Sequence, residues 1–142
     1  MPVRSKRELI EVLGAVDLFA HCSRSELKTV TRHVETVRLE PEVELTRQGG
    51  VGDCFYVILE GRACVSVDGQ TVDTLGPGQY FGELALLDGE PRSATVTSET
   101  ELEVAVLGRR MFRTLLREFP DLAVQLLAGL ASALRRARGQ AR

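Results

Sequence analysis

Phe81-Gly82-Glu83-Leu84-Ala85-Leu86-Leu87-Asp88-Gly89-Glu90-Pro91-Arg92-Ser93-Ala94-Thr95-Val96 is the stretch from which the rest of the chain is read. It asks for a turn at Gly82, a short helical turn over residues 84–87, a second turn around Asp88-Gly89 and a strand from about Ser93. Gly82 supplies the backbone freedom that such a turn needs. The amides of Leu84 and Ala85 then stand at a helix start, where no carbonyl of the helix can satisfy them and an anionic oxygen is the natural partner. Arg92 returns toward them with a planar, permanently charged fork suited to a phosphate. Ser93 adds a hydroxyl, and Glu83 a carboxylate able to accept from a sugar hydroxyl. One short cassette can read a phosphate diester and a ribose hydroxyl together.

The run resembles the phosphate-binding cassette of the cyclic nucleotide-binding domain family, F-G-E-[LI]-[AS]-L-L…P-R-[ST]-A-T-V. A glycine, a glutamate, a proline–arginine pair and a hydroxyl residue all fall at the family spacing. The resemblance implies a non-catalytic sensor of cyclic AMP, with cyclic GMP as the alternative ligand and no cofactor. It implies that Leu84, Ala85, Arg92 and Ser93 hold the cyclic phosphate and that Gly82 and Glu83 hold the ribose. Val65 and Val72 carry over as lining for the sugar and base, although core packing alone asks for the same residue types. Serine at 93, where many members that prefer cyclic GMP have threonine, tilts the choice toward cyclic AMP.

Working outward, 142 residues suffice for one domain with a sizeable core. A hydrophobic share of 44 % and a charged share of 27 % are those of a soluble globular chain. No run approaches the length of a membrane span, and MPVRSKRELIEV lacks the apolar core of a signal peptide. A cytoplasmic location without membrane insertion is the expectation. Cys22, Cys54 and Cys64 form an odd set without Cys-x-x-Cys spacing and read as reduced thiols. The net charge of −2 argues against a nucleic-acid binder. Eight arginines nevertheless lie between Arg109 and Arg142, without interleaved aromatics after Phe119.

Residues 5–33 read as a helical lead-in. Ser5 and Glu8 have capping-box spacing, and Ser23 or Ser25 can start a second helix. Between them, Val16, Leu18 and Phe19 form a patch for docking. From about 34 to 107 the pattern is short alternating strands: 37–39, 43–45, 55–59, 63–67, 72–75, 95–97 and 102–106. The turns fall at Asp68-Gly69-Gln70 and Gly76-Pro77-Gly78. No long helix intervenes, so the fold class is mainly β with flanking helices (α+β), an antiparallel β jelly-roll barrel. Gly49, Gly52 with Asp53, Gly61, Gly76 and Gly78 sit at family turns. Pro41-Glu42-Val43-Glu44-Leu45 stands where the family commonly has Pro-x-Gly-x-x-Leu, and Gly50 stands where an acidic residue is common.

From 109 to about 138 the period becomes helical. Met111, Phe112, Leu115 and Leu116 share one face; Pro120 suits a first helical turn. Leu122, Leu126, Leu127, Leu130, Ala133 and Leu134 then form a stripe to about Ala137. The resemblance covers residues 16–137 and implies that the last helix covers the base or pairs with a second subunit. A homodimer through residues 120–137 and a regulated protein partner are the expected assemblies. Related regulators add a helix-turn-helix unit after this helix, so the chain alone is expected not to recognise a DNA sequence. Ligand occupancy is expected to alter the placement of residues 109–137. His21 and His33 lie away from any recognisable nucleophile, and no GxxxxGK[ST], HExxH or G-x-S-x-G occurs, which predicts binding without turnover. The competing reading is a structural interaction module whose nucleotide pocket is vestigial.

Overall fold

Cys54-Phe-Tyr-Val-Ile-Leu-Glu60 is apolar at five consecutive positions, where a strand with one wet face would alternate. The computed structural model, which describes residues 4–139, explains why. This strand is buried on both faces, between a second sheet and a layer of helices. Eight strands are β1 (Glu35–Leu39), β2 (Glu44–Thr46), β3 (Cys54–Glu60), β4 (Ala63–Val67), β5 (Gln70–Leu75), β6 (Tyr80–Phe81), β7 (Thr95–Ser98) and β8 (Leu102–Gly108). They form two antiparallel sheets, ordered β1-β8-β3-β6 and β2-β7-β4-β5. Helices are α1 (Lys6–Gly14), α2 (Arg24–His33), α3 (Glu83–Asp88), α4 (Arg109–Glu118) and α5 (Pro120–Ala137), with a 3-10 turn over Asp17–Phe19. The result is an antiparallel sandwich with flanking helices, in agreement with the mainly-β jelly-roll reading.

Two hydrophobic clusters define the layers. Ile58, Val96, Leu102 and Val104 pack between the sheets. On the far face of the first sheet, Phe55, Val57, Leu59, Ala105 and Leu107 meet Leu13, Phe19, Val30, Leu86, Phe112, Leu115 and Leu126 from the helices. Alternation along β3 assigns its side chains to the two clusters in turn. A buried carboxylate, Glu103 at 3 % exposure, is held by Arg4 at 2.9 Å and Arg38 at 3.8 Å. These pairs tie Arg4, two residues ahead of the first helix, and β1 to β8.

Local chemistry places the element ends. Ser5 with Glu8, and Ser23 with Glu26, form reciprocal capping boxes. Asp68 and Gly69, at φ +53° and +80°, turn β4 into β5 as a type I′ hairpin. Pro120 opens α5. One expectation changes. The apolar stripe of α5 divides: Leu122 and Leu126 are buried, whereas Leu127 and Leu134 are 63 % and 54 % exposed. In α3, Leu86 joins the helical cluster with Phe112 and Leu115, but Leu87 faces solvent. Arg142, the last of the arginines counted above, lies outside the described residues. No described helix is long and apolar enough to cross a membrane.

Glu42 adopts φ +67°, the left-handed region, and its amide is pinned to the Ser98 carbonyl at 2.7 Å. An L-residue there costs about 1–2 kcal/mol, against a smaller entropic cost for glycine. Glu42→Gly is therefore expected to raise Tm by about 2–4 °C, read by thermal unfolding; an unchanged or lower Tm would show that this turn carries no strain.

Candidate functional site

β6 ends at Phe81 and the chain turns at Gly82, φ +94°, which caps α3. A side chain at Gly82 would meet Arg92 Nη1 and the Cys54 carbonyl oxygen, each 2.8 Å from the added carbon. A glycine is needed because Arg92 fills the space. Arg92 as a whole is 7 % exposed. Its Nη1 donates to the Gly82 carbonyl at 2.9 Å and its Nη2 to the Cys54 carbonyl at 2.8 Å. The backbone of Arg92 is also fixed: its amide donates to Gly50 O, and its carbonyl accepts from Gly49 N–H, both at 2.8 Å. The Tyr56 ring, stacked on Phe81, lies 6.0 Å from Cζ. Arg92 takes part in none of the ion pairs among the described residues. A buried permanent cation without a carboxylate partner is costly, and an anion from outside the chain would relieve that cost.

Gly52 completes the frame. A Cβ there would fall 2.5 Å from the Ala85 methyl and 3.2 Å from the guanidinium of Arg92. The Gly52 carbonyl accepts from Arg109 Nη2 at 2.7 Å, and Asp53 O accepts from the Arg109 amide at 2.9 Å. The start of α4 is thus fastened to the loop against which the cassette packs.

Gly82, Glu83, Leu84, Ala85, Arg92, Ser93 and Val65 all line one cavity of about 310 Å³. Val72 does not: it is 60 % exposed and faces away. The pairing explains this correction. Val65 lies opposite Asp73 and Ser66 opposite Thr71, so Val72 is the extra residue of a β-bulge. Asp73 and Leu75 line the wall instead. Alternation counted back from the buried Leu75 puts Asp73 on the inner face, a signal present in the sequence.

Asp73, Leu75 and Glu83 also border a second chamber of about 440 Å³, walled by Gln79 and Tyr80 and roofed by Gln125, Gly129, Ser132 and Arg136 of α5. The two spaces meet at these three residues. Tyr80 and the polar residues of α5 were not singled out by the sequence, because their shared wall forms only when α5 folds back. Burial pushes the Glu83 carboxyl above the ordinary carboxylate value, opposed by the amides of Glu83 and Leu84 and by the charge of Arg92. The Glu83 carboxylate therefore stands among its own helix-start amides and lines both spaces.

Residues 36–119 match the family profile described as "Cyclic nucleotide-binding domain". The chain is 38 % identical over 122 residues to the cAMP-dependent protein kinase regulatory subunit of Mucor circinelloides f. lusitanicus, covering 82 % of this chain and 29 % of that one. The regulatory domain of Toxoplasma gondii PKA, solved with cAMP, superposes with a TM-score of 0.79 at 30 % identity, over 90 % of this chain and 50 % of that one. Catabolite Activator Protein of Thermus thermophilus gives a TM-score of 0.78 at 30 % identity, over 86 % and 60 %. The chain spans less than two thirds of the length of each of these relatives.

Because the folded carboxyl of Glu83 titrates above its unfolded value of 4.5, the folded chain holds a proton more tightly, and stability falls as pH rises through that interval. Glu83→Gln removes the step. The variant is expected to be more stable than the parent near neutral pH, with the gap closing below pH 4.5, as read by urea unfolding at both pH values. A gap independent of pH would contradict the burial argument.

Proposed function

Since the chain belongs to the cyclic nucleotide-binding domain family, we propose that it is a non-catalytic sensor whose ligand is cyclic AMP. The observation that carries this reading is Arg92: a buried guanidinium, held by two carbonyls and free of any described carboxylate, beside a cavity lined by a helix start. A cyclic phosphodiester supplies one negative charge and acceptor oxygens for it. Arg92 and the amides of Leu84 and Ala85 hold the phosphate, with Ser93 adding a hydroxyl. Glu83 accepts from the ribose 2′-hydroxyl beside the Gly82 backbone, and Val65 packs on the sugar. The base extends into the chamber beneath α5. Cyclic AMP is preferred over cyclic GMP on two supports: serine at 93, and the higher identity to relatives named for cAMP (35–46 %) than to those named for cGMP (32 % and 33 %). His21 and His33 are exposed on the helical lead-in and line neither space, which supports binding without turnover.

Calorimetric titration with cyclic AMP, cyclic GMP and linear AMP tests this. Saturable binding is expected for cyclic AMP, weaker for cyclic GMP and absent for linear AMP. Arg92→Ala is expected to weaken cyclic AMP by about 30- to 1000-fold through loss of a charge-assisted contact. If neither cyclic nucleotide saturates below millimolar concentration, the sensor reading fails. Unchanged melting with every nucleotide, together with capture of a protein target, would favour the interaction-module reading.

The output we infer is a ligand-dependent placement of α4 and α5, delivered to a second copy or to a regulated protein partner. Leu86 of α3 packs with Phe112 and Leu115 of α4, which supports a path from the cassette to these helices. Val124, Leu127, Ala131 and Leu134 stand exposed on α5 at alternating three- and four-residue spacing, which suits a helix from a second copy. Hydrogen exchange over residues 109–137, with and without cyclic AMP, and light scattering separate the two ideas. Equal protection in both states rejects the movement, and a monomeric mass throughout rejects the homodimer.

A further inference from the structure

The two halves of α5 are held differently. Leu122 and Leu126 anchor the first half in the core that contains Leu18 and Phe19. From Ala131 onward every described residue is exposed. The height of the roof residues Ser132 and Arg136 above the chamber is therefore decided where α5 last touches the sandwich, at Gly129 and Leu130. Glycine is a poor helix former, yet Gly129 stands in the interior of an 18-residue helix. A Cβ at this position would overlap the hydroxyl oxygen of Tyr80, while the ring carbon bearing that oxygen is 3.6 Å away, an ordinary contact. One atom forbids the side chain. The ring cannot swing aside without cost: it tilts on Phe55, centroids 5.5 Å apart, and Phe55 packs on Phe112 at 4.8 Å. Across the ring, Glu83 lies near enough to raise the Tyr80 phenol further, after the larger effect of burial.

We propose that Tyr80 and Gly129 form the seat that sets how closely α5 roofs the chamber, and that both are positioning residues for the base end of the ligand. The ligand half rests on the cyclic nucleotide reading; the seat itself does not. Gly129 admits the Tyr80 hydroxyl, and that hydroxyl fixes the height of the helix. The roof then meets a base at one distance only, because among the described residues the distal turns of α5 have no other support on the sandwich.

The test uses the whole chain and the variants Gly129→Ala, Tyr80→Phe and their combination. Without ligand, Gly129→Ala is expected to speed hydrogen exchange over residues 126–137. An alanine in an unseated helix would slow it, because alanine is the better helix former, so the sign is diagnostic. With cyclic AMP, Gly129→Ala is expected to bind about five- to 100-fold more weakly, as overpacking displaces the helix. Adding Tyr80→Phe removes the obstructing oxygen and is expected to return exchange and affinity to within about twofold of Tyr80→Phe alone. Unchanged or slower exchange in Gly129→Ala, or no rescue by Tyr80→Phe, overturns the seat. Altered exchange with unchanged affinity overturns the positioning role. A parent chain that binds no cyclic nucleotide defeats the sensor reading, and with it the ligand half, while exchange still decides the seat.

Discussion

The buried guanidinium of Arg92 is the constraint on which the rest of the cassette depends. It holds carbonyls from two separate segments, Gly82 at the start of α3 and Cys54 at the start of β3. Its own peptide is fastened to the turn at Gly49 and Gly50. The 49–54 stretch and the start of α3 are thereby gathered around one side chain. That arrangement explains two otherwise unrelated residues: Gly82 and Gly52 lack side chains because the guanidinium and the Ala85 methyl occupy the space. In a buried setting, each carbonyl left without its donor would cost about 1–3 kcal/mol, so the same side chain serves the fold before any ligand arrives.

The double-sided burial of the first sheet then determines what the cassette can influence. Leu86, one turn into α3, lies in the same cluster as Phe55 of β3 and Phe112 and Leu115 of α4. The Arg109 guanidinium reaches back to Gly52 from the first residue of α4. A shift of α3 therefore meets α4 through packed side chains on one side and a charged hydrogen bond on the other. Among the described residues the second sheet has no such layer outside it, and most of β5 is exposed. The cavity-lining residues 83–85 and the packed Leu86 stand side by side on the same short helix.

Much of this architecture was legible in the sequence because its signals are local. Ser5 with Glu8, Asp68-Gly69 and Pro120 each act through their own neighbours, and each marks the end or turn where it is found. The short helix expected over 84–87 spans Glu83–Asp88, and the strand expected from Ser93 starts at Thr95, since the Arg92 peptide is engaged by the Gly49–Gly50 turn. What escaped the sequence is non-local. The periodicity of α5 gives the size of its apolar face, but not that Leu126 is covered and Leu127 bare. Val72 is a separate case: alternation back from Leu75 already sets Asp73 inward, and the bulge opposite β4 leaves Val72 outside. Tyr80 and Gly129 lie 49 residues apart, and no spacing rule connects them.

The bulge at Val72 has a consequence for how these molecules behave in a crowd. β5 is the outer strand of its sheet, and an outer strand offers a row of unpaired amides and carbonyls to any passing chain. An extra residue in the middle of that row breaks its repeat, so a foreign strand cannot stay in register past Val72. Asp73 follows at once, placing a charge beside the break. The irregularity that leaves Val72 outside the cavity thereby also guards this edge of the sheet against edge-to-edge aggregation.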